Sequence, residues 1–447
     1  MTQTEKQEMM IHAPIPGLIG RLAVPTIISM LVTSFYNMAD TFFVGRIGTS
    51  ATAAVGVVFP LMSVIQAIGF FFGHGSGNAM SRKLGAGDSE NAEQLASCGF
   101  FSAFGCGLLI LIFGLLFLEP LGKILGSTET ILPYTMEYLR IILLGAPYMT
   151  ASLVLNNQMR FQGNAFYAMI GITGGSVLNV LLDPVLIFGF HMGIAGAAAA
   201  TVFSQLVSFI LLLYGMKRSG CVPLKIRNMK YLSGQIREIT GGGLPSLCRQ
   251  GLASFATVVL NLAAGPFGDA AIAAMTIVNR ITFFANASVI GFGQGFQPVC
   301  GFNYGAGNVE RVREAFWFCV KTATVVLCIL GVAGFVFSGQ LTRIFRKDDL
   351  EVIRIGTKAL RMQCLTLPLI GFTIMNTMLF QTCKWTMPAS ILSSARQGIF
   401  FLPAVLILPL FLGLTGIQLS QPVADVASFA MAVLFCRSMM KRLETIE

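Results

Sequence analysis

Residues 70–90 read FFFGHGSGNAMSRKLGAGDSE, and residues 290–310 read IGFGQGFQPVCGFNYGAGNVE. Laid over each other at a shift of 220 residues, Gly73 meets Gly293, Gly75 meets Gly295, Gly85-Ala86-Gly87 meets Gly305-Ala306-Gly307, and Glu90 meets Glu310. Without a gap, the same shift carries Pro25 onto Pro245, Gly45 onto Gly265, Gly48 onto Gly268, and Ala53-Ala54 onto Ala273-Ala274. Farther on, at a shift of 219, Phe161-Gln162 meets Phe380-Gln381 and Pro184 meets Pro403. The chain is an internal repeat, and whatever the first half builds, the second builds again.

What each half builds follows from composition. The 447 residues are 55% hydrophobic and 11% charged, with a mean hydropathy of +0.75. A soluble domain carries about 25% charged residues, so a soluble enzyme, a nucleic-acid binder and a disordered chain are excluded. Twelve apolar stretches recur at 18–42, 51–74, 95–118, 134–155, 166–189, 193–214, 240–264, 271–297, 315–337, 357–380, 389–411 and 416–436. Each is long enough to cross ~30 Å of hydrocarbon at about 1.5 Å per residue, and none shows the alternation of a barrel strand. The expected fold is an all-α polytopic membrane protein of twelve transmembrane helices in two six-helix bundles. Residues 1–214 form an N-lobe (spans 1–6), 215–239 a basic linker, and 240–447 a C-lobe (spans 7–12). Six is even, so the halves insert in the same orientation, a layout known in secondary transporters with substrate sites at the repeat interface.

The net charge of +10 is concentrated between spans, notably Lys217, Arg218, Lys225, Arg227, Lys230 and Arg237 in the linker. With Arg82, Lys83, Arg160, Arg311, Arg313, Lys384, Arg437, Lys441 and Arg442 they mark one side as cytoplasmic. The other side keeps mainly Arg46, Lys123 and the mixed-charge 343–354 segment. Both termini are expected in the cytoplasm of a plasma-membrane protein, with no cleavable signal ahead of span 1. The ten cysteines show no CxxC pair and no metal-ligand spacing, and read as small buried hydrophobes.

No Walker A sequence and no HExxH occurs, so neither self-energised transport nor zinc hydrolysis is expected, and no cofactor is required. The two Gly-Ala-Gly runs follow apolar spans, not strands, and read as loop punctuation. His74-Gly75-Ser76-Gly77 crowds its Ser and His into one turn, which argues against a protease.

Ionisable groups at membrane depth are costly and mark functional sites. The candidates are Asp40, Asp183 and Asp425. At the repeat shifts Asp40 falls on Leu260 and Asp183 on Leu402, so the duplicated scaffold carries these two acids only once. Asp40 lies five residues before Gly45, Asp183 eight before His191, and Thr201 eight after Gly193. All three sit roughly 8–12 Å below the outer face, and Asn179 shares a helix face with Asp183. Pro184 has no N–H, which frees the carbonyl of Val180. Such a set could bind protons or a sodium ion; the alternative is packing alone, with both acids capped by hydroxyls and amides. Asp425, whose counterpart is Gln205, lies near the depth of Arg280, and a structural ion pair between these two is expected. Arg140, Arg249 and Arg396 read as span-end or snorkelling residues. His12, His74 and His191 read as solvated or hydrogen-bonded, and the Phe and Met residues as lipid-facing, core or cleft-lining.

Several strings narrow the class. NMADTFFVGRIG (37–48), RFQGN (160–164), NVLLDP (179–184), GIAGAAAATVFSQ (193–205) and GLTGIQLSQPVAD (413–425) resemble those of MATE (multidrug and toxic compound extrusion) transporters, within them the MepA-like group. The resemblance covers essentially the whole chain. It implies a V-shaped pair of bundles exporting amphipathic, often cationic drugs in exchange for H⁺ or Na⁺, with two fused halves sufficient as a monomer. It maps the first-lobe ion site onto Asp40, Asn179, Asp183 and Thr201, with Tyr138 more loosely. The repeat asymmetry and the depth of the acids add the expectation that ion binding at Asp40 and Asp183 bends span 1 at Pro25 and displaces the drug outward. Some relatives use acids on spans 7 and 10; here those spans offer Arg249, Gln250 and Asn376, so no second-lobe cation site is expected there. The alternative within the superfamily is a lipid-linked precursor flippase. A membrane enzyme lacks a nucleophile–base pair, and an ion channel fits twin halves with acids on one side poorly.

Overall fold

The computed structural model describes residues 3–345 and 349–444. Of the mixed-charge 343–354 segment, residues 346–348 lie outside the described residues. Among those described there is no strand, as a bilayer demands of any chain that is not a closed barrel. After a short α1 (Gln3–His12), the first bundle comprises α2 (Ile15–Gly45), α3 (Thr49–Gly85), α4 (Ser89–Leu116), α5 (Leu118–Ile124), α6 (Leu132–Phe161), α7 (Ala165–Pro184) and α8 (Gly193–Arg218). The second comprises α9 (Leu232–Ala264), α10 (Asp269–Gly305), α11 (Val309–Val336), α12 (Ser338–Phe345), α13 (Leu350–Thr382), α14 (Thr386–Ser394), α15 (Phe401–Leu412) and α16 (Leu414–Glu444). Twelve of the described helical segments are long and apolar enough to cross a membrane, α14 and α15 together making one. The chain is an integral membrane protein of two six-helix bundles.

The repeat reaches details that apolar periodicity does not. The short helices α5 and α12 begin at positions 220 apart, and α6 and α13, the most enclosed spans, each lie at the centre of a bundle. Spans 5 and 11 depart from the expected continuous helices. A π-turn follows Pro184 at Val185–Gly189, and another at Ala395–Ile399 separates α14 from α15. The two are not repeat equivalents, because the second precedes Pro403 and the first follows Pro184.

The bundles interlock at one end, which carries the α3–α4 and α10–α11 turns and the 215–239 segment; we call it the linker end. Each bundle's first span packs on the other's second: α2 against α10, and α9 against α3. Leu18, Ile19, Leu22 and Ala23 of α2 join the hydrophobic cluster of Phe296 and Val299 on α10. The far half of α2, through Val44, belongs instead to the first bundle's cluster with Tyr138, Ile142 and Ala197. Pro25 sits between these two allegiances in an unbroken helix. A Cβ on Gly295 would stand 2.6 Å from Cα of Ala23, and one on Gly291 2.9 Å from Cα of Ile27. Only glycines let α10 approach so closely on either side of Pro25, the small-residue logic of membrane helix crossings.

Polar contacts close the same end. Arg82 donates to the Thr382 carbonyl at 2.7 Å and to Glu238 Oε2 at 3.0 Å, and Lys384 reaches Glu238 Oε1 at 2.6 Å. Thr382 donates to Asn78 Oδ1 at 2.8 Å, and Ser246 Oγ meets His74 Nδ1 at 3.0 Å. Outside the spans, Asp88 accepts from the Asn91 side chain at 2.8 Å and backbone at 3.2 Å, capping α4. That Asn91 side chain, ahead of Lys83, holds the Asp88 carboxyl below its ordinary range. Gly87 and Gly307, with φ of +76° and +79°, turn the chain out of α3 and α10, as left-handed helix-ending positions favour glycine.

Candidate functional site

Away from the linker end, α2, α6, α7 and α8 converge on a buried polar cluster in the first bundle. Asp183 is fully buried on the last turn of α7, with Asn179 one turn before it and Thr201 facing them from α8. The close approach of α8 comes from Gly196: a Cβ there would stand 2.8 Å from the Leu186 carbonyl in the π-turn. The Asn179 amide nitrogen, turned toward Asp183, donates to Oδ2 at 3.2 Å, while its oxygen accepts from the Thr201 backbone N–H at 3.3 Å.

Asp40 arrives from α2, close enough to Asp183 for their charges to interact. Tyr138, buried on α6, faces both acids. Oδ1 of Asp40 and Oδ1 of Asp183 are buried without a hydrogen-bond partner among the described residues. No Lys, Arg or His forms an ion pair with either acid among them. Asp183 is fully buried and Asp40 half-buried; two neighbouring carboxyls so shielded, without a basic partner, are unfavourable as anions, so the arrangement calls for a bound positive charge. Its donors are all hard oxygens, which fit a proton or an alkali cation and not a soft metal.

All five residues expected at the ion site therefore gather in one place. The sequence reading missed Tyr36, which lies within electrostatic range of both acids, and Gln205 beside it. Tyr36 is four residues before Asp40 and Gln205 four after Thr201, so the same-face rule that selected Asn179 would have found both.

The Arg280–Asp425 pairing does not occur. Arg280 is exposed on α10, whereas α16 packs against α13 and α15. Asp425 instead accepts from Arg396 Nε at 2.7 Å, Gln421 Nε2 at 2.9 Å and Thr366 Oγ1 at 3.2 Å. Arg396, read as a span-end residue, is brought inward by the π-turn that contains it. The second bundle's one mid-span acid is thus neutralised within the protein, in contrast to Asp40 and Asp183. On spans 7 and 10, Gln250 donates to Gln66 at 3.3 Å and Asn376 to its own helix at 2.8 Å. Arg396→Met alone should lower stability by about 3–5 kcal/mol, because it strands a buried charge, and Arg396→Met with Asp425→Leu should recover most of it. The thermal midpoint of the purified protein in detergent measures both, and a double variant no more stable than the single would refute the pairing.

The MatE family profile matches this chain twice, at residues 25–185 and 245–406. The multidrug export protein MepA of Staphylococcus aureus (strain MRSA252) is 27% identical over 415 residues, 92% of this chain and 91% of the relative. A crystal structure of a MATE in complex with MaL6 overlays with a TM-score of 0.93 at 28% identity, covering 98% of this chain and 99% of that one. The outward-facing conformation of a multidrug resistance MATE family transporter of the MOP superfamily overlays with a TM-score of 0.92 at 27% identity, covering 98% of each. Matched in both halves and overlaid along nearly its whole length, this chain belongs to the MatE family of membrane transporters.

Proposed function

We propose that the chain is a secondary multidrug efflux antiporter, exporting amphipathic cationic compounds across the plasma membrane in exchange for H⁺ or Na⁺. The observation that carries this reading is the partner-poor pair Asp40 and Asp183, present in one half of a duplicated scaffold. In this reading residues 1–214 and 240–447 act as the two lobes and 215–239 as the linker, and the positive charge of the linker end supports a cytoplasmic position for that end and both termini. Fused halves let a monomer suffice. The function needs no cofactor and no catalytic residue.

In this mechanism the drug enters between the lobes from the cytoplasm or inner leaflet. The cation from outside binds at Asp40 and Asp183, with Asn179, Thr201 and Tyr138 completing its shell, and its arrival displaces the drug outward. Pro25, set where α2 passes from one lobe's core to the other's, allows the far half of α2 to move while its first turns stay on α10. Coupling requires that ion and drug favour different lobe arrangements. The multidrug export relatives support this reading over lipid flipping.

The deciding measurement is ethidium export from proteoliposomes under a proton gradient alone and then a sodium gradient alone. Export under one gradient and not the other identifies the coupling ion. No export under either would overturn the antiport reading and turn the search to lipid substrates.

A further inference from the structure

A buried guanidinium stands at the seam between the bundles, with a second within electrostatic range and neither in an ion pair among the described residues. Arg160, the second-last residue of α6, is 4% exposed. It donates to Asn157 in its own helix and across the seam to Gln294 of α10, while its Nε has no partner among the described residues. Ser246, three residues before Arg249 on α9, meets buried His74 Nδ1 at 3.0 Å, and the His74 ring stands edge-on to Phe161, the neighbour of Arg160, so both guanidiniums flank this histidine within electrostatic range of each other. The seven ion pairs among the described residues include neither arginine, and Glu238 is already shared by Arg82 and Lys384. The Gln294 amide nitrogen is also buried without a partner.

An arginine does not escape such a site by losing its proton. Two neutral amide oxygens return little of what it costs to take one guanidinium from water, and a second guanidinium nearby adds repulsion. The arrangement lacks a negative charge. Its shape also specifies the kind: guanidinium forks match the paired oxygens of carboxylates and phosphates, and the idle Gln294 nitrogen supplies a further donor.

We propose that Arg160, Arg249 and Gln294 form an oxyanion-binding site at the base of the seam, taking a carboxylate or phosphate group. Arg249 is partly exposed and receives the anion first. The site is distinct from the Asp40–Asp183 cluster in position and in charge, and is independent of which cation drives transport. The anion has two sources of shared chemistry, a free oxyanion or the phosphate of a lipid headgroup.

The test is thermal unfolding of the full-length protein, in detergent with inorganic phosphate or benzoate and in nanodiscs of phosphatidylcholine with or without phosphatidylglycerol, at fixed chloride. A ligand of the folded state raises the midpoint saturably. Apparent affinity should weaken about tenfold or more in Arg249→Gln as a charge-assisted fork is lost, fall less in Arg249→Lys, and persist in Asp183→Asn. A rise with phosphate or benzoate establishes a free anion; a rise only with phosphatidylglycerol, lost in Arg249→Gln, establishes the headgroup. No rise with any probe, or a rise unchanged in Arg249→Gln, overturns the proposal. Arg160→Gln is the second variant, and should it not fold, Arg249→Gln decides.

Discussion

Asp183→Asn should abolish gradient-driven export while leaving the protein folded. The side chain is fully buried and already receives the Asn179 amide. Asparagine preserves its volume and removes its capacity to bind a proton or share a cation's charge. The loss should therefore fall on coupling and not on packing. Oδ1 of Asp183 has no donor among the described residues, so a neutral isostere takes away an unfavourable buried charge and the thermal midpoint should hold or rise. Asp40→Asn should act in the same direction, since its buried Oδ1 is likewise without a donor among the described residues. Tyr138→Phe and Thr201→Ala remove one hydrogen-bonding group each, about 1 kcal/mol and so roughly fivefold in rate. The assay is dye export from proteoliposomes under the driving gradient, with midpoints measured beside it. Wild-type export by Asp183→Asn under the same gradient would end the proposed mechanism.

The extent to which such a site is legible in a sequence depends on what places it. Depth along a span is arithmetic in residues, so Asp40, Asp183 and Thr201 could be set at one level, and the i, i+4 rule added Asn179. Rotation about the helix axis is a different matter. Asp425 and Arg280 share a depth, yet Arg280 faces outward and the partner is Arg396 on an element shifted by a π-turn. Nothing in apolar length reports that turn, because it depends on how the backbone around it packs. The short helices α5 and α12 escaped for a related reason: at 7 and 8 residues they are too brief to show a period. Tyr36 and Gln205 were within reach of the rule that found Asn179, but neither is an acid, the residue type whose cost at membrane depth marks a site. The number of spans and the repeat were legible, since a bilayer leaves a chain so few alternatives.

The Gly-Ala-Gly runs are where loop punctuation proved too modest a reading, and they yield the second large effect. A Cβ on Gly85 would collide with the carbonyl of Phe302, and one on Gly305 with the carbonyl of Arg82. Positions 85 and 305, and 82 and 302, are each related by the 220-residue shift, so this is one contact made twice about the repeat axis. It joins α3 to α10 at the linker end, where Arg82 also holds Thr382 and Glu238. Gly85→Ala and Gly305→Ala each push two backbones apart at a cost of ~1–3 kcal/mol, about 2–6 kcal/mol together. Each 1.4 kcal/mol is about tenfold in a population. The double variant should therefore lose most of its closed linker end, and export should fall about tenfold or more, because a carrier that cannot close one side cannot alternate. Cys383, 1% exposed behind this contact, should become alkylated faster in the double variant. Gly105→Ala, where a Cβ meets nothing within 4 Å, serves as the control and should leave both readouts unchanged. If the double variant exports normally and Cys383 stays protected, the glycine contact is packing that the transport cycle never needs to break or remake.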